Sequence, residues 1–377
     1  MDKYAFAPDY VVLPGKTLAE TLEKSEMSQV HLAERTGLSR KTINGVITGR
    51  EPITPDTAIQ LEKVFRVPAR FWLNLQKNCE EHAARLREHE RNAASTDWLE
   101  EMEIPVKELV ARDAMPRYKD KADIVAAVFQ FFGVAGPQEF EAVWQDTYET
   151  CCYRKSEKLN IRFGAVAAWL RLGELKAASI ECASFDKKRL SAAIDDIRAL
   201  VPGDISASLA RISELLAGCG VALVLEPGIQ GAPIYGATRR LTASSSKAIL
   251  QMSLRGKDDG NFWFTLFHEL GHLKLHGRQD IFLEFDKSRD SDKEREADTF
   301  AQDILILRSA YNTFLAAHGA GNHPRPLSIS KRQLCGFAKE VGVSPGVVVG
   351  RLQRDGWLPY SHCQDLKVKL QVVKKAS

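Results

Sequence analysis

The sequence predicts a mainly α, multidomain fold with one small sheet of about three strands, and three observations carry that expectation. A length of 377 residues with 44% apolar content suffices for two or three cores. Apolar residues recur at helical spacing through most of the chain. Only between Val221 and Leu254 does the pattern change to short β-branched and apolar runs separated by Gly- and Ser-rich turns. The segments expected are a five-helix domain over 1–92, a helical connecting region over 93–205, an α+β core over 206–310, and a C-terminal helical subdomain with a basic tail over 311–377.

The bulk numbers exclude several classes. A net charge of +3 is too small to indicate a nucleic-acid partner, so such a partner must be argued from a local patch. Met1-Asp2-Lys3-Tyr4 has no basic segment followed by an apolar run, and no stretch approaches the roughly 18 apolar residues of a membrane span. A cytoplasmic protein with no membrane contact is expected. Its seven Cys form no C-x-x-C pair, which suits reduced, mostly buried thiols.

Over the first ninety residues, Leu18, Leu22 and Met27 start an amphipathic set, and Ser28 caps a segment carrying Val30, Leu32 and Ala33 that ends at Thr36-Gly37. Ser39 caps the next segment, whose Ile43, Val46 and Ile47 face inward while Arg40, Lys41, Thr42 and Asn44 point outward. Two short helices joined by a Gly-containing turn, the second rich in Arg, Lys, Thr and Asn, suit a recognition helix in the major groove. Thr54-Pro55 and Pro68-Ala69 open two further helices, and the charged run after Phe71, Trp72, Leu73 and Leu75 extends the last as an exposed helix. Residues 8–92, through LAERTGLS, INGVITGR and FWLNLQ, resemble the Cro/repressor-type helix-turn-helix domain, and specifically the HigA-type plasmid-maintenance antidote branch. That resemblance implies a homodimer on a palindromic operator in double-stranded DNA, and Gln29, Ser39, Arg40, Lys41, Thr42, Asn44 and Arg50 are the expected DNA contacts.

The polar break Asn92 to Asp97 is the first expected boundary. Helical patterns follow at Val106–Arg112, Ile124–Phe132, Phe140–Trp144, Val166–Ala178, Leu190–Val201 and Leu209–Ala217, and the basic patch Cys152–Gly164 reads as a solvated turn. Strands are expected at Val221–Pro227, Pro233–Leu241 and Lys247–Leu254. The second of them is a candidate edge at which an extended peptide would pair, an ordinary buried strand being the equal alternative.

The segment after them, from about Asn261, carries His268-Glu269-Leu270-Gly271-His272 on a helix whose Phe262, Leu266, Leu270 and Leu273 mark an apolar face. Two imidazoles four residues apart leave one helix face together and suit one Zn2+ ion, and Glu269 stands beside the first as a general base. His276 lies about 12 Å along a straight helix from His268, too far to share the ion, and reads as a capping or packing residue. A third ligand is expected from Lys293–Ile306, where Ala297, Phe300, Ala301 and Ile304 pack inward; Glu296 beside that stripe is preferred, with Glu294 and Asp298 as rivals.

HELGH followed by EADTFA resembles the ImmA/IrrE family of zinc metallopeptidases, and Phe337–Leu358 resembles its closing helices, so that the resemblance spans residues 206–360. It implies a zincin-like core with His268, His272 and Glu296 as ligands, Glu269 as base, and cleavage of regulatory proteins. Tyr235, His323, Arg351, Tyr360 and His362 remain open as the group that stabilises the oxyanion. Two functions follow. One is a DNA-binding regulator fused to a zinc endopeptidase with a protein substrate or a toxin or repressor partner; the other is an operator-binding antitoxin or repressor whose zinc domain is a non-catalytic sensor or scaffold.

Overall fold

The computed structural model describes residues 11–153, 161–240, 246–276, 282–285, 292–321 and 325–370. It divides into two compact units: residues up to Thr96 together with Lys119–Ala126, and Asp97–Tyr118 together with the chain from Ala127 onward.

The first unit holds α1 (Pro14–Lys24), α2 (Gln29–Thr36), α3 (Arg40–Ile47), α4 (Pro55–Phe65) and α5 (Ala69–Ala94). Local chemistry sets their ends. Ser28, Ser39 and Thr54 each accept a backbone N–H three residues on, and α2 stops at Gly37 in the left-handed conformation. Leu18, Leu22, Leu32, Ile43, Val46, Leu61 and Trp72 then form one buried cluster. Beyond Trp72, α5 buries only Asn92, as its charged sequence predicts.

The second unit contains α6 (Trp98–Glu101), α7 (Val106–Ala111), the second half of α8 (Lys121–Phe132), α9 (Pro137–Tyr153), α10 (Phe163–Ala178), α11 (Lys187–Arg198) and α12 (Ile205–Gly218). Then come β1 (Val221–Leu225), β2 (Ile234–Arg240), β3 (Ala248–Met252), α13 (Asp259–Leu275), β4 (Phe282–Phe285), α14 (Asp292–Leu305), α15 (Arg308–Ala317), α16 (Lys331–Val341) and α17 (Pro345–Arg354). The sheet order is β1-β3-β2-β4: β1 runs parallel to β3, and β2 runs antiparallel to both neighbours.

Alternation along β1 and β3 sends side chains to two covered faces. Val221, Leu223, Ala248 and Leu250 join Phe262, Trp263, Leu266 and Phe267 of α13, while Ala222, Val224 and Ile249 meet Ala177 of α10. The expected small sheet is present, and three details are sharpened. The sheet has a fourth strand, β4, within a stretch with no strand expected. The segment Pro233–Leu241 is no edge, because β2 has a partner on each side, and its last residue, Leu241, lies outside the described residues. The expected boundary at 205/206 separates nothing compact, since α10 supplies one covering layer of the sheet. Of the basic patch Cys152–Gly164, residues 154–160 lie outside the described residues.

Candidate functional site

Helix α13 begins where Asp258 accepts the Asn261 N–H at 2.9 Å, and it is buried almost without a break from Asp259 to His272. The amphipathic helix expected from its leucines is therefore a central one. Sheet residues cover one side and α14 another. The crossing of α13 and α14 is close because Gly271 has no side chain: a Cβ there would stand 3.0 Å from Phe300 Cδ1 and 3.3 Å from Ala297 Cα.

That close approach brings a carboxylate to the two rings. His268 Nε2 and His272 Nε2 are 3.0 Å apart, and Glu294 Oε2 lies 3.3 Å from the first and 3.7 Å from the second. All three side chains are buried. Two ligand atoms bound to one zinc at about 2.05 Å and tetrahedral angles stand about 3.3 Å apart, so these separations fit a single ion. Among the described residues one other His and carboxylate group has such spacing, His89 with Asp120 and Asp123, and it is largely exposed.

The third expected ligand is corrected by this geometry. Glu296 is 62% exposed, and its carboxylate lies 3.7 Å from His276 Nδ1, away from the pair. The buried stripe of α14 runs through Glu294, Ala297, Ala301 and Leu305, the i, i+3, i+7, i+11 face of a helix, and Glu296 is rotated off it. Asp298, the other rival, accepts a hydrogen bond from His268 Nδ1 at 2.9 Å. This contact orients the ring, and with a metal bound it would leave the Nε2 lone pair for that ion, beside Glu294 and His272. His276 sits at the C-cap of α13, and its Nε2–H donates to the Lys293 carbonyl at 3.0 Å.

Electrostatics match a ligand set. Burial holds His272 down to about 4, opposed by Glu294, so its ring is neutral near pH 7. Burial pushes Glu294 up, yet the hydrogen bonds and charge of His268 and His272 outweigh it and keep the carboxyl well below the usual carboxylate range. Neutral nitrogens and an ionised carboxylate are the states a metal requires.

Glu269 is fully buried and turns toward β2, where the Thr238 hydroxyl donates to its Oε2 and a Cβ on Gly236 would stand 2.5 Å from its Oε1. Beside His268, Glu294 and Asp298 a cavity of about 890 Å³ opens, lined also by Tyr235, Arg351 and Tyr360. Arg351 is occupied, since its Nε donates to Asp355 at 2.7 Å. His362 is exposed and does not line the cavity, and His323 lies outside the described residues. Sequence reasoning missed Arg354, whose guanidinium stacks over the Phe264 ring at 3.6 Å in this cavity. Its place three residues after Arg351 on a closing helix was the available signal.

In the first unit, Gln29, Ser39, Arg40, Lys41, Asn44 and Arg50 are exposed, and Thr42 is half-buried. Ser39 is engaged as the N-cap of α3, accepting from Thr42 N at 3.0 Å, and Arg50 Nε donates to Thr48 Oγ1 at 3.0 Å. Arg40, Lys41 and Arg50 leave the exposed side of this region basic.

Comparison with known proteins agrees with both halves. The family profile for helix-turn-helix domains matches residues 18–72, and that for the IrrE N-terminal-like domain matches residues 235–353. The uncharacterised helix-turn-helix-type transcriptional regulator YbaQ of Escherichia coli is 32% identical over 101 residues, 26% of this chain and 85% of the relative. YddM of Escherichia coli is 32% identical over 63 residues, 17% of this chain and 67% of the relative. Among solved structures, the Pseudomonas aeruginosa antitoxin HigA with its higBA promoter is 29% identical, covering 22% of this chain and 90% of its own, with a TM-score of 0.21. An addiction-module antidote protein of a HigA family from Coxiella burnetii is 31% identical, covering 24% and 91%, with a TM-score of 0.20. The chain belongs to the helix-turn-helix transcriptional regulators through its N-terminal part and carries behind it an IrrE N-terminal-like domain.

Proposed function

We propose that this protein is an operator-binding regulator, dimeric on a palindromic site, whose second unit is a zinc endopeptidase acting on regulatory proteins. The observation that carries the enzymatic half is the convergence of His268 Nε2, His272 Nε2 and Glu294 Oε2 at 3.0 to 3.7 Å beside a cavity of about 890 Å³. His268, His272 and Glu294, rather than Glu296, would hold the metal. Zinc held there would supply Lewis acidity toward a peptide carbonyl and a bound water. Asp298 holds the His268 ring in its ligating tautomer. Glu269 takes the proton of the attacking water and returns it to the leaving amine, while Thr238 and Gly236 confine its carboxylate. Arg40, Lys41 and Asn44 on the exposed side of α3 read the operator.

The test is Glu269→Gln. It is expected to keep zinc and operator binding while losing cleavage of a regulator in host extract by at least a hundredfold, the scale of a lost general base. Cleavage persisting in that variant rejects the mechanism. The complete burial of Glu269 favours a second reading, a zinc-bearing sensor without turnover. That reading prevails if wild type and Glu269→Gln control the operator identically and neither cuts a host protein.

A further inference from the structure

The cavity beside His268 is walled by three acidic side chains, Asp258, Glu294 and Asp298, and three basic ones, Arg351, Arg354 and Lys367. All three cations have a carboxylate within 4 Å, and they differ in how far their donors are satisfied. Arg351 Nε donates to Asp355 Oδ2 at 2.7 Å, with its guanidinium over the Tyr311 ring at 4.8 Å. Lys367 Nζ lies 3.7 Å from Asp258 Oδ2.

Arg354 differs. Its Nη1 is buried with no hydrogen-bond partner among the described residues. Its Nη2 stands 3.9 Å from Asp298 Oδ1, beyond hydrogen-bond reach, and that oxygen already accepts from His268 Nδ1 at 2.9 Å. Its plane is held by Phe264, whose ring centroid is 3.6 Å from Cζ, and Phe264 is one helical turn before His268 on α13. A guanidinium carries five donors in a rigid fork, and a buried donor left unmade is costly. The group that satisfies such a fork is a carboxylate, bound through two parallel N–H···O bonds.

We propose that Arg354 forms a carboxylate-binding subsite in this cavity, taking an acidic side chain or a free chain-end carboxylate of the peptide that lies along His268. The subsite rests on the endopeptidase reading for its purpose, though not for its existence. Arg354 stands on the Asp298 side of His268, behind Nδ1, whereas the three ligand atoms converge at Nε2. It therefore meets a substrate's flank and not its reacting carbonyl. The acidic neighbours set the selectivity, because Glu294 and Asp298 repel a second negative charge closer to the rings.

Three small probes separate the sources of the carboxylate. N-acetylglutamate N-methylamide carries only the side-chain acid, N-acetylalanine only the chain-end acid, and N-acetylglutamine N-methylamide neither. Each is titrated by saturation-transfer NMR into the intact chain and into Arg354→Gln and Arg354→Lys, with zinc content and melting checked for every variant. At least one acid is expected to bind tenfold or more tighter than the glutamine probe, and the better one identifies the source. Arg354→Gln is expected to abolish that preference. Arg354→Lys, which keeps the charge and loses the fork, retains only part of it and serves as the readout if the Gln variant does not fold. Equal binding of all three probes, no binding of any, or a preference that survives in both variants overturns the subsite. Loss of proteolysis with the preference intact rejects the endopeptidase reading alone.

Discussion

His272 ties the candidate centre to the stability of the whole second unit. Burial holds its ring down to about 4, whereas the ring titrates near 6.5 when the chain is unfolded. Between those values the unfolded chain binds a proton that the folded chain refuses, so zinc-free protein is expected to lose stability as pH falls from about 6.5 to about 4. Glu294, depressed in the fold, adds a loss of the same sign once pH falls below the ordinary carboxylate value of 4.5. Urea unfolding at stepped pH measures this slope, and a flat profile between pH 7 and 4 contradicts it. The ligand assignment has its own check. Glu294→Gln is expected to lower zinc affinity by at least a hundredfold, and Glu296→Gln to leave it unchanged, by metal analysis after dialysis. Retained zinc in the first variant and loss in the second restores the ligand expected from the sequence.

Helices place these residues through a few close contacts. Gly271→Val inserts a branched side chain where a single Cβ already reaches 3.0 Å from Phe300, so α14 must move off α13. Destabilisation on the order of 2 kcal/mol is expected, together with weakened zinc retention; unaltered melting and zinc content show that the crossing tolerates it. Arg198 on α11 plays a different part. Its guanidinium donates to the carbonyls of Ile304 and Leu305 at the end of α14 and of Val341 and Gly342 at the end of α16, at 2.6 to 2.9 Å. Helix-end carbonyls lack intrahelical donors and carry partial negative charge, so Arg198→Met is expected to cost on the order of 3 kcal/mol in urea unfolding. Helices α16 and α17 also repeat the turn of α2 and α3, with Gly342 in the left-handed conformation and Ser344 before the second helix. The outcome is unlike. The Ser344 hydroxyl donates to Asp259 at 2.6 Å, and α17 buries Val347, Val348, Val349 and Leu352, so this second turn presents no reading face.

At the scale of the molecule, the two units are built on separate cores. The cluster around Leu18, Ile43 and Trp72 contains none of the three candidate ligands, so chelation of zinc is expected to leave operator affinity within twofold. A footprint that weakens on chelation would instead favour the sensor reading. Arg40→Ala and Asn44→Ala are each expected to weaken specific binding about tenfold, and an unchanged footprint removes α3 from recognition. The net charge of +3 stays uninformative at this scale, because it averages over the whole chain, whereas Arg40, Lys41 and Arg50 are exposed within one short stretch of the first unit.

By itself the sequence determined the helical units, the capped turn at Gly37, three of the strands, and the pairing of His268 with His272. Each is written in spacing over fewer than about ten residues, which the helical and strand periods convert directly into a face. Tertiary structure alone decided which carboxylate joins the two rings. Glu294 and Glu296 are close neighbours in sequence, and the rotation of α14 about its axis, set by Ala297 and Phe300 against Gly271 of α13 and by the buried Ala301, turns one inward and the other to solvent. The same holds for β2, made interior by a fourth strand whose identity comes from pairing, and for Arg354, which acquires a role only when α17 lays it over Phe264. Rotation, pairing and stacking depend on partners distant in the chain, and no local spacing records them.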